Sequence, residues 1–169
     1  MKITTLTLCV MLTTMVSAQN CHIKGRVAVP GLQNKNITIT NMNTGMSLAS
    51  TTIVDSTFAM DIQVSKPFVA LLKTDPQNPS NTNSYYFLRI VAEPGEIYAD
   101  LVTDSLSGTL LNKHLYQYSQ KRDYEVSVIN ADIHQLNESI NMPADKMAEL
   151  TKKMEKDMDR LFTMMRDTY

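Results

Sequence analysis

All five glycines of the chain lie at or before Gly108, and the 61 residues that follow contain none. Those 61 residues hold a single proline, Pro143, against five between Gln19 and Gly108. Glycine costs backbone entropy inside a helix, and proline removes a donor and clashes with the preceding turn. A chain that uses both freely and then stops changes architecture, here close to Thr109.

Before the break, the dominant period is two, the signature of strands with one buried face. Ile23, Gly25, Val27 and Val29 alternate with His22, Lys24 and Arg26, and Pro30-Gly31 turns the chain. Ile37 and Ile39 alternate with threonines, and Asn43-Thr44-Gly45 predicts a hairpin into Leu48 to Val54. Phe58, Met60, Ile62 and Val64 form the clearest alternation. Phe68 to Leu72 is apolar on both sides, as a central strand would be, and Asp75 to Ser84 is a polar loop. Tyr86 to Ala92 predicts another strand, Glu93-Pro94-Gly95-Glu96 a tight turn, and Ile97 to Val102 its hairpin partner. A short edge strand around Leu106 ends at Gly108. Seven or eight short strands at this spacing argue for an antiparallel β-sandwich over residues 19–109.

After the break the period is helical. Leu111, Leu115, Tyr118, Val126, Ile129, Ile133, Leu136 and Ile140 share a face that Arg122 interrupts. A second helix starts at Pro143, where Met147, Leu150, Met154, Met158, Leu161 and Met165 fall within an arc of about 80°. Its other face carries Glu149, Lys152, Lys153, Lys156 and Arg160, with Glu149 and Lys153 in the favourable i,i+4 order. The two helices predict a hairpin over residues 110–169 turning at Asn141-Met142-Pro143, each stripe burying the other. The fold class is therefore α+β, a sandwich followed by a long two-helix hairpin.

Residues 1–18 have the pattern of a secretory signal. Lys2 is followed by an uncharged apolar run to Val16 and by Val16-Ser17-Ala18 at the cleavage positions, too short a run to span a membrane. Its removal predicts an exported, periplasmic or cell-envelope protein. The mature chain keeps 15 of 16 basic residues against 17 acidic ones, a net charge of −2 that attracts neither nucleic acid nor an anionic membrane. Cys9 leaves with the signal, so Cys21 has no partner for an internal disulfide. It is read as a half-buried thiol at the start of the first strand; Asn20 before it is a poor lipobox residue.

No residue pattern marks a catalytic centre or a cofactor site. His114 and His134 are about 30 Å apart on one predicted helix, and His22 beside Cys21 lacks further ligands. Six of the twelve methionines follow Asn141. A packed core explains their spacing, docking onto an adaptable partner through Met147, Met154, Met158 and Met165 is the second reading, and copper binding the third. Glu93 and Glu96 flank a solvated turn without a nucleophile or histidine beside them. Arg122 either pairs with Glu125 or marks where the helix crosses the sandwich edge.

Four short motifs occur in order: Ile23-Lys24-Gly25-Arg26-Val27, Asp55-Ser56-Thr57-Phe58, Glu93-Pro94-Gly95, and Ser107-Gly108-Thr109-Leu110-Leu111-Asn112. Together they resemble a domain of unknown function that precedes the thioredoxin domain of exported thiol–disulfide oxidoreductases in Gram-negative bacteria. Its pattern is Ile-x-Gly-x-Val, Asp-Gly-x-Phe, Glu-Pro-Gly and Ser-Gly-Thr-x-x-Asn, with Ser56 here in place of a glycine. The resemblance covers about residues 21 to 140 and implies structural roles for Gly25, Asp55, Phe58, Glu93, Pro94, Gly95, Gly108 and Asn112. No Cys-x-x-Cys follows the helices up to Tyr169, so the family's redox activity transfers to no residue. The expectation is a non-catalytic accessory or docking module, whose partner is a thioredoxin domain or another protein. The alternative is a stand-alone periplasmic binding module.

Overall fold

The computed structural model describes residues 18–168 except 79, 82, 83 and 139–141. The expected leader up to residue 17, and Ile140 and Asn141 at the helical turn, lie outside the described residues. Among the described residues, eight strands precede two helices: β1 (Gln19–Arg26), β2 (Asn36–Asn41), β3 (Ser47–Thr52), β4 (Thr57–Val64), β5 (Phe68–Thr74), β6 (Phe87–Ala92), β7 (Gly95–Asp100), β8 (Ser105–Ser107), α1 (Leu110–Glu138) and α2 (Ala144–Thr168). The strands form two four-stranded sheets, in the orders β4-β1-β7-β8 and β3-β2-β5-β6.

Alternation decides which side chains meet between the sheets. Along β4, Phe58, Met60, Ile62 and Val64 are buried while the residues between them are exposed. They join Cys21, Ile23, Ile37, Ile39, Leu72, Ile90 and Ile97 in one core cluster. Each side chain removed from water there contributes on the order of 1.5–3 kcal/mol. Gly25 faces Phe58 across β1 and β4. A Cβ at Gly25 would overlap the Phe58 ring and lie 2.5 Å from the Ala99 carbonyl oxygen, so glycine is what lets the ring cover the strand.

One expected pairing is corrected. Ile97 to Val102 does not form a hairpin with the strand before it: β6 pairs with β5, whereas β7 pairs with β1 and β8. Pro94 has no N–H with which to continue a ladder, and Gly95 at φ 120° turns the chain into the other sheet. The Glu93–Glu96 turn is thus a crossover between layers. It lays β7 parallel to β1, the exception among otherwise antiparallel neighbours.

The turn into β4 explains the Asp-Ser pair. Asp55 and Ser56 have φ of 50° and 61°, and Val54 and Thr57 exchange N–H···O bonds of 2.9 Å on either side of them. This is the two-residue turn that favours Asp-Gly, because a Cβ at positive φ crowds the backbone. Ser56→Gly is expected to stabilise the protein by about 1 kcal/mol, read as a higher urea midpoint with unchanged slope.

At about 1.5 Å per residue, α1 and α2 extend roughly 44 and 38 Å. Pro143 caps α2 rather than starting it: its carbonyl accepts the Met147 N–H at 3.1 Å. The start of α1 lies against β6 and β8, with Leu115 and Tyr116 packed on the sandwich core, and α2 packs along α1. No helix among the described residues is long and apolar enough to cross a membrane.

Candidate functional site: a sandwich–helix junction and a two-faced hairpin

The motif residues of the third and fourth segments converge at the N-terminus of α1. Thr109 caps the helix, its carbonyl accepting the Lys113 N–H at 3.1 Å. The first turn of α1 contains no acidic residue, and Glu93 supplies a carboxylate from the crossover turn. Its Oε1 accepts the Leu111 N–H at 2.9 Å, satisfying a free helical donor and complementing the helix dipole. Glu93 is therefore a capping group rather than part of a solvated turn.

Asn112 is fully buried. Its amide donates to the Val91 carbonyl and to Thr109 Oγ1, both at 2.7 Å, and its Oδ1 accepts the Val91 N–H at 2.8 Å. The side chain thus stands where the peptide group of a further strand would pair with β6, the last strand of its sheet. Gly108 has φ of 104°, and a Cβ there would overlap the Glu96 carbonyl oxygen. These contacts fasten the helix to both sheets at once.

Cys21 sits beneath the same turn, paired in register with Gly95, and is fully rather than half-buried. Burial pushes its thiol up, outweighing a main-chain hydrogen bond at Glu93. A thiol held protonated is a poor nucleophile. The three histidines stay apart: His22 Nδ1 lies 2.7 Å from Asp61, His134 is beside Glu138 at 3.3 Å, and His114 is exposed. Glu96 is engaged by Lys24 at 3.2 Å and by the Tyr98 hydroxyl.

The hairpin differs from two stripes burying each other. Glu125, Asp132 and Asp157 are buried between the helices beside Ile129 and Leu150. Lys153 donates to both oxygens of Asp132, at 2.5 and 2.7 Å, and to Asp157 at 3.2 Å. Arg160 bonds Glu125 at 2.7 Å and Asp157 at 3.1 Å. Two expected pairs are thereby corrected. Arg122 bonds its neighbour Asp123, at 2.9 and 2.6 Å, because Glu125 faces Arg160. Lys153 turns from Glu149 toward the seam, where desolvated carboxylates hold it more strongly than an exposed i,i+4 partner could.

Burial alone would push the Asp157 carboxyl up, but the Lys153 hydrogen bond and the Arg160 and Lys153 charges outweigh it and hold the group below its usual range. A depressed carboxylate stabilises the fold above its unfolded pKa, and that contribution is lost as pH falls through the folded value. Melting followed by helical circular dichroism is therefore expected to be insensitive to pH near neutrality and to shift downward below about pH 4.

The charged seam occupies one flank of each helix. At 100° per residue, Lys153 and Arg160 lie about 60–80° to one side of Leu150, with Met147, Met158 and Met165 a similar angle to the other. Around Ile129, Glu125 and Asp132 lie on one flank and Val126 and Ile133 on the opposite one. Because the charged flanks meet each other, the two apolar flanks share the other side of the hairpin. They stay substantially open: Met147 36 %, Met158 37 %, Met165 38 % and Phe162 59 % exposed, with Met154 half-buried.

Reading apolar periodicity missed the buried carboxylates, although their spacing carried a signal. Glu125 and Asp132 are seven apart, as are Lys153 and Arg160, and both cross-pairs are centred on the Met142–Pro143 step. No protein-family model matches the chain, and no curated protein is significantly similar to it.

Proposed function

We propose that the chain is a non-catalytic docking module of the cell envelope, with the apolar side of its helical hairpin as the contact surface. The observation that carries this reading is the strip of Met147, Met158, Phe162 and Met165, left open on the side opposite the ion pairs. Methionine suits adaptable contacts, since its unbranched thioether repacks at low cost. Contiguous exposed apolar surface of this kind marks interaction sites. The four motifs support an exported thioredoxin-like thiol–disulfide oxidoreductase as the partner, which the module would position or supply with clients. Cys21 is buried and burial pushes its thiol up, which supports a passive role.

The test compares Met158→Asp with Leu150→Asp, measuring both melting temperature and pull-down of an exported thioredoxin-fold oxidoreductase from the same cell. Met158→Asp should abolish capture and leave stability almost unchanged, whereas buried Leu150→Asp should lower the melting temperature sharply. Full capture by folded Met158→Asp, or insulin reduction by the chain alone, would overturn the proposal.

A stand-alone binding module is the second reading, favoured by a cleft of about 630 Å³ lined by Lys24, Arg26, Thr57, Tyr98 and Asp100. It requires that Arg26→Ala, and not Met158→Asp, remove ligand binding.

A further inference from the structure

We propose that the free edge of β6 captures an extended polypeptide segment, which adds to the sheet as a further strand in the groove between β6 and α1. Val91 sets the pattern, because its N–H and C=O both point away from β5 and are met by the Asn112 amide. Strand geometry repeats every second residue. Arg89 and Phe87, partnered in register with Leu71 and Lys73 on β5, therefore turn their own N–H and C=O outward along the same edge. Among the described residues nothing meets those four groups. Asn112 supplies one amide of a missing strand, and the next two positions stand ready for a peptide backbone.

These residues line a groove of about 530 Å³, bounded by β6, the turn before β8 and the α1 residues Ser119 to Asp123. Leu88, Leu101 and Val102 give it apolar surface, and Phe87 is half exposed at its mouth. Arg122 is occupied by Asp123, whereas the Arg89 guanidinium has no partner among the described residues. A sheet edge beside a helix is a surface that takes up extended peptides, backbone bonds giving affinity and alternate side chains specificity. The occupant is accordingly an extended segment of another protein, apolar opposite Phe87 and acidic opposite Arg89, since cross-strand neighbours of opposite charge attract. This edge is separate from the methionine strip, so the two proposals stand or fall independently.

The test titrates isotope-labelled full-length chain with the capped peptide acetyl-Val-Ile-Glu-Val-Val-amide, whose glutamate is flanked two residues away on each side by valine, followed by amide shifts and hydrogen exchange. The Phe87 and Arg89 amides should shift and exchange at least tenfold more slowly, while Val91 should change little because Asn112 already occupies it. Arg89→Pro deletes one edge donor that β5 does not use, a substitution edge strands tolerate, and should weaken binding about tenfold. Arg89→Ala, which keeps the backbone, should weaken it by a smaller factor and provides the control if the proline variant fails to fold. Absence of shifts at millimolar peptide would overturn the proposal, as would shifts located away from β6. So would concentration-dependent shifts at Phe87 and Arg89 without peptide, which would assign the edge to a second copy of the chain.

Discussion

Gly108→Ala is expected to cost about 3–5 kcal/mol, a large share of the total stability of a domain this size. Two effects combine. At φ 104° the backbone lies in a region that side chains rarely enter, and the added methyl would overlap the Glu96 carbonyl oxygen and lie 3.0 Å from its carbon. Both clashing atoms belong to main chain in β7, so no rotamer change relieves them. Relief requires β8 and the start of α1 to move off the sheet, which would strip the helix of its Glu93 cap. Gly45→Ala is the matched control, since Gly45 also has positive φ, 71°, but no atom within 4 Å of where its methyl would stand. It should cost only about 1 kcal/mol. Urea denaturation of both variants measures the difference; similar losses would show that close packing at Gly108 contributes nothing.

Asn112→Leu is expected to cost a similar 3–5 kcal/mol although leucine has the same number and branching of side-chain heavy atoms. The side chain is fully buried and makes three hydrogen bonds of 2.7–2.8 Å. Leucine would leave the Val91 N–H and C=O without partners, each unmade bond costing about 1–3 kcal/mol. Asn112→Asp separates the contributions: it retains an acceptor for the Val91 N–H but loses both donors and buries a charge. Thermal melts give the total effect, and hydrogen exchange at the Val91 amide locates it. In Asn112→Leu that amide should exchange much faster than its neighbours Ile90 and Ala92, which remain bonded to β5.

The strands were legible because period-two alternation survives in a single chain: β4 matches its pattern residue for residue. The destination of each strand was less so. Ile97 to Val102 alternates identically whether it pairs with β6 or with β1, and what sends it across the layers is backbone geometry at Pro94 and Gly95. The helix boundary was marked by glycine and proline use, yet Asn112 reaches a residue 21 positions earlier, a distance that no periodicity records. In the hairpin, apolar spacing located Ile129 and Leu150 correctly in the seam but hid Glu125, Asp132 and Asp157 there. Charged residues are seldom buried unless paired, and their partners lie on the other helix, in a register that emerges only when the chain is folded about Met142–Pro143.

With the proposed function, the junction anchors a hairpin whose apolar side meets another protein. Methionine methyl groups provide the direct measurement, since they report from both parts of the molecule. In a chain labelled at those methyls and titrated with an exported thioredoxin-fold oxidoreductase, the signals of Met147, Met154, Met158 and Met165 should shift together. Those of Met46, exposed on the sandwich, and Met60, buried within it, should stay in place. Shifts at the sandwich methionines with the α2 signals unchanged, or no shift at saturating partner, would contradict the docking role.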